Sequence, residues 1–348
     1  MIEIELYRSM NLGFKALSEN KIVSYSIQYK KYQRDFRKPL RTASQTWAVR
    51  EGIVVRLEDG QGRIGFGEVA PVFGFGGERV EEAEDWLKSL GGVWEPCEKK
   101  VPGNLPCCQF AISGALGWIH GDFEVEGGIC EMETAGLLPS GEAAIAMQQE
   151  MLGDGFGVFK WKIGVGEVRE EMEIAMYLAE KGRIRLDANG GLEEAEMVEW
   201  CKFLKEQESI EFLEQPLAKG MWRRVKELAE ELEVGERLAL DEEVTRGEEI
   251  PKIRAEGWPG LFVVKSALAG WIGKERFPDA IHSSALETSI GKETALRLAV
   301  GSMRCLGFGV GELLEDDGLD LHTNRCRIPV GKVGALEMQN VWERISSC

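Results

Sequence analysis

The sequence predicts an α/β protein built around a parallel (β/α) barrel, and three observations carry that prediction. Lys162, Asp187, Glu214, Asp241 and Lys265 lie 25, 27, 27 and 24 residues apart, close to one strand–helix unit each. Each stands in or at the end of an apolar run: Phe159-Lys160-Trp161-Lys162, Ile184-Arg185-Leu186-Asp187, Glu211-Phe212-Leu213-Glu214, Leu238-Ala239-Leu240-Asp241 and Leu261-Phe262-Val263-Val264-Lys265. Between the runs, apolar residues recur at three-to-four spacing, as Val168, Met172, Ala175 and Ala179, then Leu192, Ala195, Val198, Cys201 and Leu204, then Trp222, Val225, Leu228 and Leu232. A barrel brings the C-terminal ends of its strands to one mouth, so five charges at this interval converge there.

At 348 residues with 44% hydrophobic content, the chain has core material for one large barrel or for two domains. A formal net charge of −17 argues against nucleic acid or an anionic membrane as a partner. A small anionic molecule would be met by local cations instead. Eight cysteines (Cys97, Cys107, Cys108, Cys130, Cys201, Cys305, Cys326 and Cys348) show no CxxC spacing and read as reduced thiols. With three histidines (His120, His282, His322), a His-based metal site or a Ser-His-Asp triad has few candidates, so any metal is expected on oxygen ligands. No apolar run reaches membrane-spanning length and the N-terminus lacks a signal pattern, so the expected location is cytoplasmic. Residues 1–20 read as an N-terminal extension of unknown role.

Taken in order, Ile22 to Ile27 and Trp47 to Leu57, followed by Asp59-Gly60-Gln61-Gly62, read as antiparallel hairpins. The segment Gly67 to Gly77, rich in glycine and aromatics, lacks the Lys-Ser/Thr of a phosphate loop and reads as an apolar lid or an ordinary connection. A helix is expected from Glu78 to Leu90, and a buried helix after Cys107-Cys108. From about Glu131 the texture turns to alternating strands and helices. Leu306-Gly307-Phe308-Gly309-Val310-Gly311 has the wrong spacing for a dinucleotide fingerprint and reads as the last barrel strand.

Lys160 and Lys162, at i and i+2 of a strand, share a face, and like charges that close depress each other's pKa. Lys162 is thus the candidate base and Lys160 its tuner, against the plainer alternative of lysines protecting a strand edge. Asp187, Glu214 and Asp241 would repel one another unless a hard divalent cation lay between them, which points to Mg²⁺. Singly, each would be a helix cap or a surface ion pair. Lys162 and Lys265 flank this row. Arg185 and Asn189 alternate with Asp187 on one strand face and are expected to support the site.

Together, Lys-x-Lys, Asp-x-Asn, Glu-Gln-Pro, Asp-Glu and the following Lys resemble the enolase superfamily, muconate-lactonizing subgroup, over roughly residues 22 to 335. Within it the sequence most resembles the o-succinylbenzoate synthase family, through Gly67-Glu68-Val69-Ala70-Pro71, Arg185-Leu186-Asp187-Ala188-Asn189-Gly190 and Ser283-Ser284-Ala285-Leu286-Glu287-Thr288-Ser289-Ile290-Gly291. The resemblance implies a (β/α)7β barrel over residues 126–315, an α+β capping domain over 21–125, and a segment 316–348 returning to the cap. It implies Mg²⁺ on Asp187, Glu214 and Asp241, with Mn²⁺ as a substitute, and Glu242 as a partner for Lys265. Lys162 would take the α-proton of a cyclohexadiene carboxylate and protonate the departing hydroxide, while Lys265 stabilises the charge that develops. Ser283 and Ser284 are candidates for the succinyl tail, or simply a polar strand end, and Phe73 and Phe75 are candidate lid contacts. The implied reaction is a dehydration in menaquinone or phylloquinone biosynthesis. The alternatives are an N-succinylamino acid racemase or dipeptide epimerase on the same scaffold, and a non-catalytic metal-binding barrel. Leu268 stands where related racemases carry arginine, and Ser266-Ala267-Leu268-Ala269-Gly270 lacks the glycine pair of the epimerases.

Overall fold

The computed structural model describes residues 24–41, 46–72, 74–123, 125, 128–270, 279–322 and 325–346; residues 1–20 and Phe73 lie outside the described residues. The first sheet is antiparallel. Strands β1 (Tyr25–Arg41), β2 (Thr46–Asp59) and β3 (Ile64–Val69) fold back on one another, and the short β4 (Val93–Trp94) covers the β1 edge, in the order β3-β2-β1-β4. Asp59 builds the β2–β3 turn: its Oδ1 accepts the backbone N–H of Gln61 and of Arg63, each at 2.9 Å, and Gly62 supplies the positive φ of 78°.

Two helices, α1 (Val80–Ser89) and α2 (Pro106–His120), cover this sheet. Helix α2 is apolar on nearly every face, as a helix enclosed on all sides must be. It touches β3 backbone to backbone, because a Cβ at Gly65 would stand 1.9 Å from Ala115 O and one at Gly67 1.8 Å from Ala111 O. Glu78 caps α2 from outside the helix, accepting the N–H groups of Cys107 at 3.0 Å and Cys108 at 2.7 Å.

The second sheet begins with β5 (Cys130–Leu138), which leads into α3 (Ala143–Gly153) and then β6 (Val158–Lys162). The alternation continues through α4 (Val168–Ala179), β7 (Arg183–Asp187), α5 (Glu194–Glu206), β8 (Ile210–Glu214) and α6 (Trp222–Glu231). It proceeds through β9 (Leu238–Leu240), α7 (Glu249–Ala255), β10 (Leu261–Lys265), β11 (Ile281–Ser283), α8 (Ser289–Leu298) and β12 (Leu306–Gly309). Strands β5 to β12 run parallel, and β12 pairs back with β5, so the sheet closes into an eight-stranded barrel. The α/β barrel with a separate cap, expected from the sequence, is the fold of the chain.

Alternation along each strand divides the side chains. Phe159 and Trp161 are wholly buried in the layer between strands and helices, each contributing about 1.5–3 kcal/mol. Lys160 and Lys162 face the other way, into the barrel. There Phe212, Ala239, Val263 and Ile281 form a small apolar plug that closes the interior below the mouth.

The C-terminal segment serves both parts. Strand β13 (Arg327–Val330) adds antiparallel to β5, a pairing the sequence reading did not foresee. Helix α9 (Ala335–Arg344) lies on the cap, with the Trp342 and Phe66 rings 6.1 Å apart and Lys30 Nζ donating to the carbonyls of Trp342 and Ile345 at 2.9 and 2.8 Å. Among the described residues the cysteines are free thiols, and no helix is long and apolar enough to cross a membrane.

Candidate active site

Register places the charged residues in one layer at the C-terminal end of the barrel. Lys162 is the partner of Asp187, Asp187 of Glu214, Lys265 of Ser283 and Ser283 of Gly307. Asp241 directly follows β9, beside them. The three carboxylates are buried, at 5%, 1% and 4% exposure for Asp187, Glu214 and Asp241. Burial of like charges needs counter-charge, and the two inner lysines supply it. Lys160 Nζ lies 2.8 Å from Asp187 Oδ2 and 2.7 Å from Glu214 Oε1, and Lys265 Nζ donates to both oxygens of Asp241.

These contacts set the proton affinities. Burial pushes Lys160 down, but Asp187, Glu214 and Asp241 outweigh it and hold its ammonium well above the ordinary lysine value. Burial, reinforced by Asp187, raises Glu214 well above the carboxylate range against the pull of Lys160. Glu242 is pushed up to about 7 by burial first and by Asp241 and Asp187 second. The pairing changes the role expected of Lys160: its charge is neutralised on two carboxylates, so it does not stand as a bare like-charge neighbour of Lys162. Glu242 is likewise not the partner of Lys265, which closes on Asp241. Instead Glu242 Oε1 accepts from Asn189 Nδ2 at 3.3 Å, and its Oε2 is buried without a hydrogen-bond partner.

The remaining candidates separate by depth. Asn189 sits at the rim, its Nδ2 donating to Asp187 Oδ2 at 3.2 Å and its N–H to Asp187 Oδ1 at 3.0 Å, with a left-handed φ of 45°. Arg185 lies one layer deeper, bonded to Glu211 at 2.6 Å with its guanidinium 5.2 Å above the Phe212 ring, so it fills the barrel floor. The Ser283 hydroxyl donates to Gly307 O at 3.0 Å within the mouth layer. Ser284 is turned away onto Glu287 Oε2 at 2.7 Å and holds the turn that follows β11. From the cap, the Phe75 ring covers Lys265 Nζ at 4.2 Å. Gln215 escaped the sequence reading: with φ 38° it leaves β8 and its Oε1 accepts the Asp241 N–H at 3.1 Å, fixing that carboxylate's backbone. Its signal was its place inside Glu-Gln-Pro.

The donor set fits a hard divalent cation. It consists of carboxylate oxygens alone, and Lys160 Nζ touches two of the groups at once, so one cation reaches both. Among the described residues no three His, Cys, Asp or Glu side chains already enclose a common point, and Lys160 Nζ lies between Asp187 and Glu214 while Lys265 Nζ closes on Asp241.

Residues 26–118 match the MenC N-terminal domain, and residues 142–266 match the family described as enolase C-terminal domain-like. The o-succinylbenzoate synthase of Thermosynechococcus vestitus is 33% identical over 300 residues, covering 81% of this chain and 92% of that protein. The chain belongs to the o-succinylbenzoate synthase family of the enolase superfamily. The o-succinylbenzoate synthase of Aliivibrio salmonicida is 29% identical over 84% of this chain and 92% of its own. Among solved structures, the o-succinylbenzoate synthase from Thermosynechococcus elongatus, complexed with Mg in its active site, superimposes with a TM-score of 0.77 at 30% identity, covering 92% of this chain and 99% of that one. A dipeptide epimerase from Enterococcus faecalis reaches the same TM-score at 18% identity, which marks the shared fold alone.

Proposed function

We propose that this chain catalyses the Mg²⁺-dependent syn-dehydration of 2-succinyl-6-hydroxy-2,4-cyclohexadiene-1-carboxylate to 2-succinylbenzoate. The observation that carries this reading is the single layer in which Lys162 and Lys265 bracket a row of three buried carboxylates, in a chain whose family performs that reaction. Asp187, Glu214 and Asp241 would hold Mg²⁺, which when bound supplies Lewis-acid stabilisation of the substrate carboxylate.

The residues of the chain do the rest. Lys162 takes the proton from the carbon bearing the carboxylate, and the electron pair of that C–H bond moves toward the carboxylate. The Lys265 ammonium, held by Asp241, faces the charge that collects there. When the pair returns to form the ring double bond, the C–O bond at the hydroxyl-bearing carbon breaks. The proton now on Lys162 leaves with the hydroxide as water, and the ring becomes aromatic. Phe75, over Lys265, keeps solvent away from the ammonium. Leu268 and the stretch after Lys265 support dehydration over racemisation or epimerisation. The free thiols among the described cysteines support a reducing, cytoplasmic setting.

The test is the ultraviolet absorbance of the cyclohexadiene on adding protein and Mg²⁺. The diene signal is expected to fall rapidly. Lys162→Ala and Lys265→Ala are each expected to slow it by about 10²–10⁴-fold. Turnover that persists in Lys162→Ala, or after chelation of divalent cations, would sink the mechanism.

A further inference from the structure

In the cap, Arg34 on β1 and Arg50 on β2 are direct cross-strand partners, and both are buried, at 4% and 2% exposure. Like charges placed opposite each other destabilise a sheet, and buried ones do so more. Something must offset the pair. Part of the answer is Asp317, which receives Arg34 Nε at 2.7 Å and Nη2 at 3.1 Å. The rest lies in the barrel. Arg50 donates to Ala285 O at 3.0 Å and to Leu286 O at 3.4 Å, and Arg34 Nη1 donates to Glu287 O at 3.4 Å. Glu68, from the third cap strand, takes the next positions: it accepts Thr288 N at 2.9 and 3.1 Å, Thr288 Oγ1 at 2.5 Å and Gly291 N at 2.9 Å.

Three neighbouring cap strands thus hold each residue from 285 to 288 of the turn that follows Ser283. Leu286 in that turn has φ 63°, a conformation a branched side chain resists, so the turn is held by its surroundings and not by its own preference. Arg50 does one thing more. Its Nη1 also donates to Pro71 O at 2.7 Å and Glu51 O at 2.6 Å, and Pro71 is the root of the loop that brings Phe75 over Lys265. One guanidinium therefore joins the lid root to the turn beside the mouth.

We propose that Arg50, flanked by Arg34 and Glu68, is a positioning residue that sets the β11 turn and the lid root in one register, and thereby the affinity for the substrate's side chain. The proposal rests on the dehydratase reading for its substrate, but the coupling itself does not. Arg50→Lys keeps the charge and loses the fork that reaches four carbonyls. It is expected to raise KM for the cyclohexadiene carboxylate about tenfold while kcat stays within about threefold. Amide hydrogen exchange is expected to accelerate at residues 285–288 and 75–77 together, with β6 to β9 unchanged. Unchanged KM and exchange would overturn the proposal, as would a fall in kcat with faster exchange throughout the barrel, which is what a merely structural arginine gives. If Arg50→Lys does not fold, the unsubstituted protein decides: 2-succinylbenzoate must protect both segments together, and protection of one alone, or of neither, overturns the coupling. If the unsubstituted protein shows no turnover, the dehydratase reading fails while the exchange of Arg50→Lys still decides the clamp.

Discussion

At the scale of single residues, the site is a problem in charge balance. Lys160 bridges two carboxylates that are all but sealed from solvent, and 23% of its own side chain remains exposed. Removing a partner from a buried ionic set leaves uncompensated charge, at a cost of about 3–5 kcal/mol. Lys160→Met is therefore expected to destabilise the cation-free protein by about 3 kcal/mol in urea unfolding, and by less than about half of that with Mg²⁺ in excess. An equal loss under both conditions would mean that Mg²⁺ does not take over the counter-charge of Asp187 and Glu214. The residues of this layer were legible because spacing reports which strand end each occupies. Depth was not legible. Arg185 and Asp187 share a face by alternation, yet one lies on the barrel floor with Glu211 and the other at the mouth, since period two says nothing about height. The direction of Ser284 was hidden for another reason, because the turn after β11 takes its shape from cap residues more than two hundred positions away.

At the scale of elements, helix α8 carries a second ionic group. His322 Nε2 lies 2.9 Å from Glu293 Oε2 and Nδ1 lies 3.5 Å from Asp320 Oδ1. Lys292 pairs with Asp320 at 2.8 Å, and Arg297 with Glu293 at 2.7 Å. Glu293 also accepts the Gly331 N–H at 2.7 Å, so this cluster fastens the C-terminal segment to α8. Burial lowers the His322 pKa, but its bonds to Asp320 and Glu293 more than reverse that and leave it above 6.5. A histidine raised in the folded state stabilises it fully below its unfolded pKa, and that stabilisation is lost as pH rises through the folded value. The urea midpoint is expected to fall from about pH 6 upward, and His322→Gln to flatten that slope. A slope that survives the substitution would assign it to other groups. The sequence showed His322 only as one of three histidines, because Glu293, which its Nε2 meets, sits on an element 29 residues earlier.

At the scale of the whole molecule, what the sequence revealed depended on whether one element meets one core. Barrel helices such as α4 and α5 bury a single stripe against the strands, so their period was plain. Strand β1 does not behave so: Tyr25 and Ile27 are buried on one parity, then Tyr32, Arg34 and Phe36 on the other. The strand changes face between two cores, and the sequence pattern stopped at Ile27 for that reason. The same sharing governs stability. One apolar cluster runs from Ile53, Trp94 and Phe110 of the cap to Ala285, Leu296, Phe308 and Ile328 of the barrel side. Unfolding of the cap then exposes the apolar side chains that the barrel contributes to this shared cluster. A single cooperative transition follows. Tryptophan fluorescence from variants retaining only Trp94 or only Trp200 is expected to give urea midpoints within about 0.3 M of each other. Trp94 reports the cap core and Trp200 the barrel's helix layer. An earlier cap transition would show that the shared cluster and the Arg50 clamp hold the turn beside the mouth too weakly to bind the two parts into one unit.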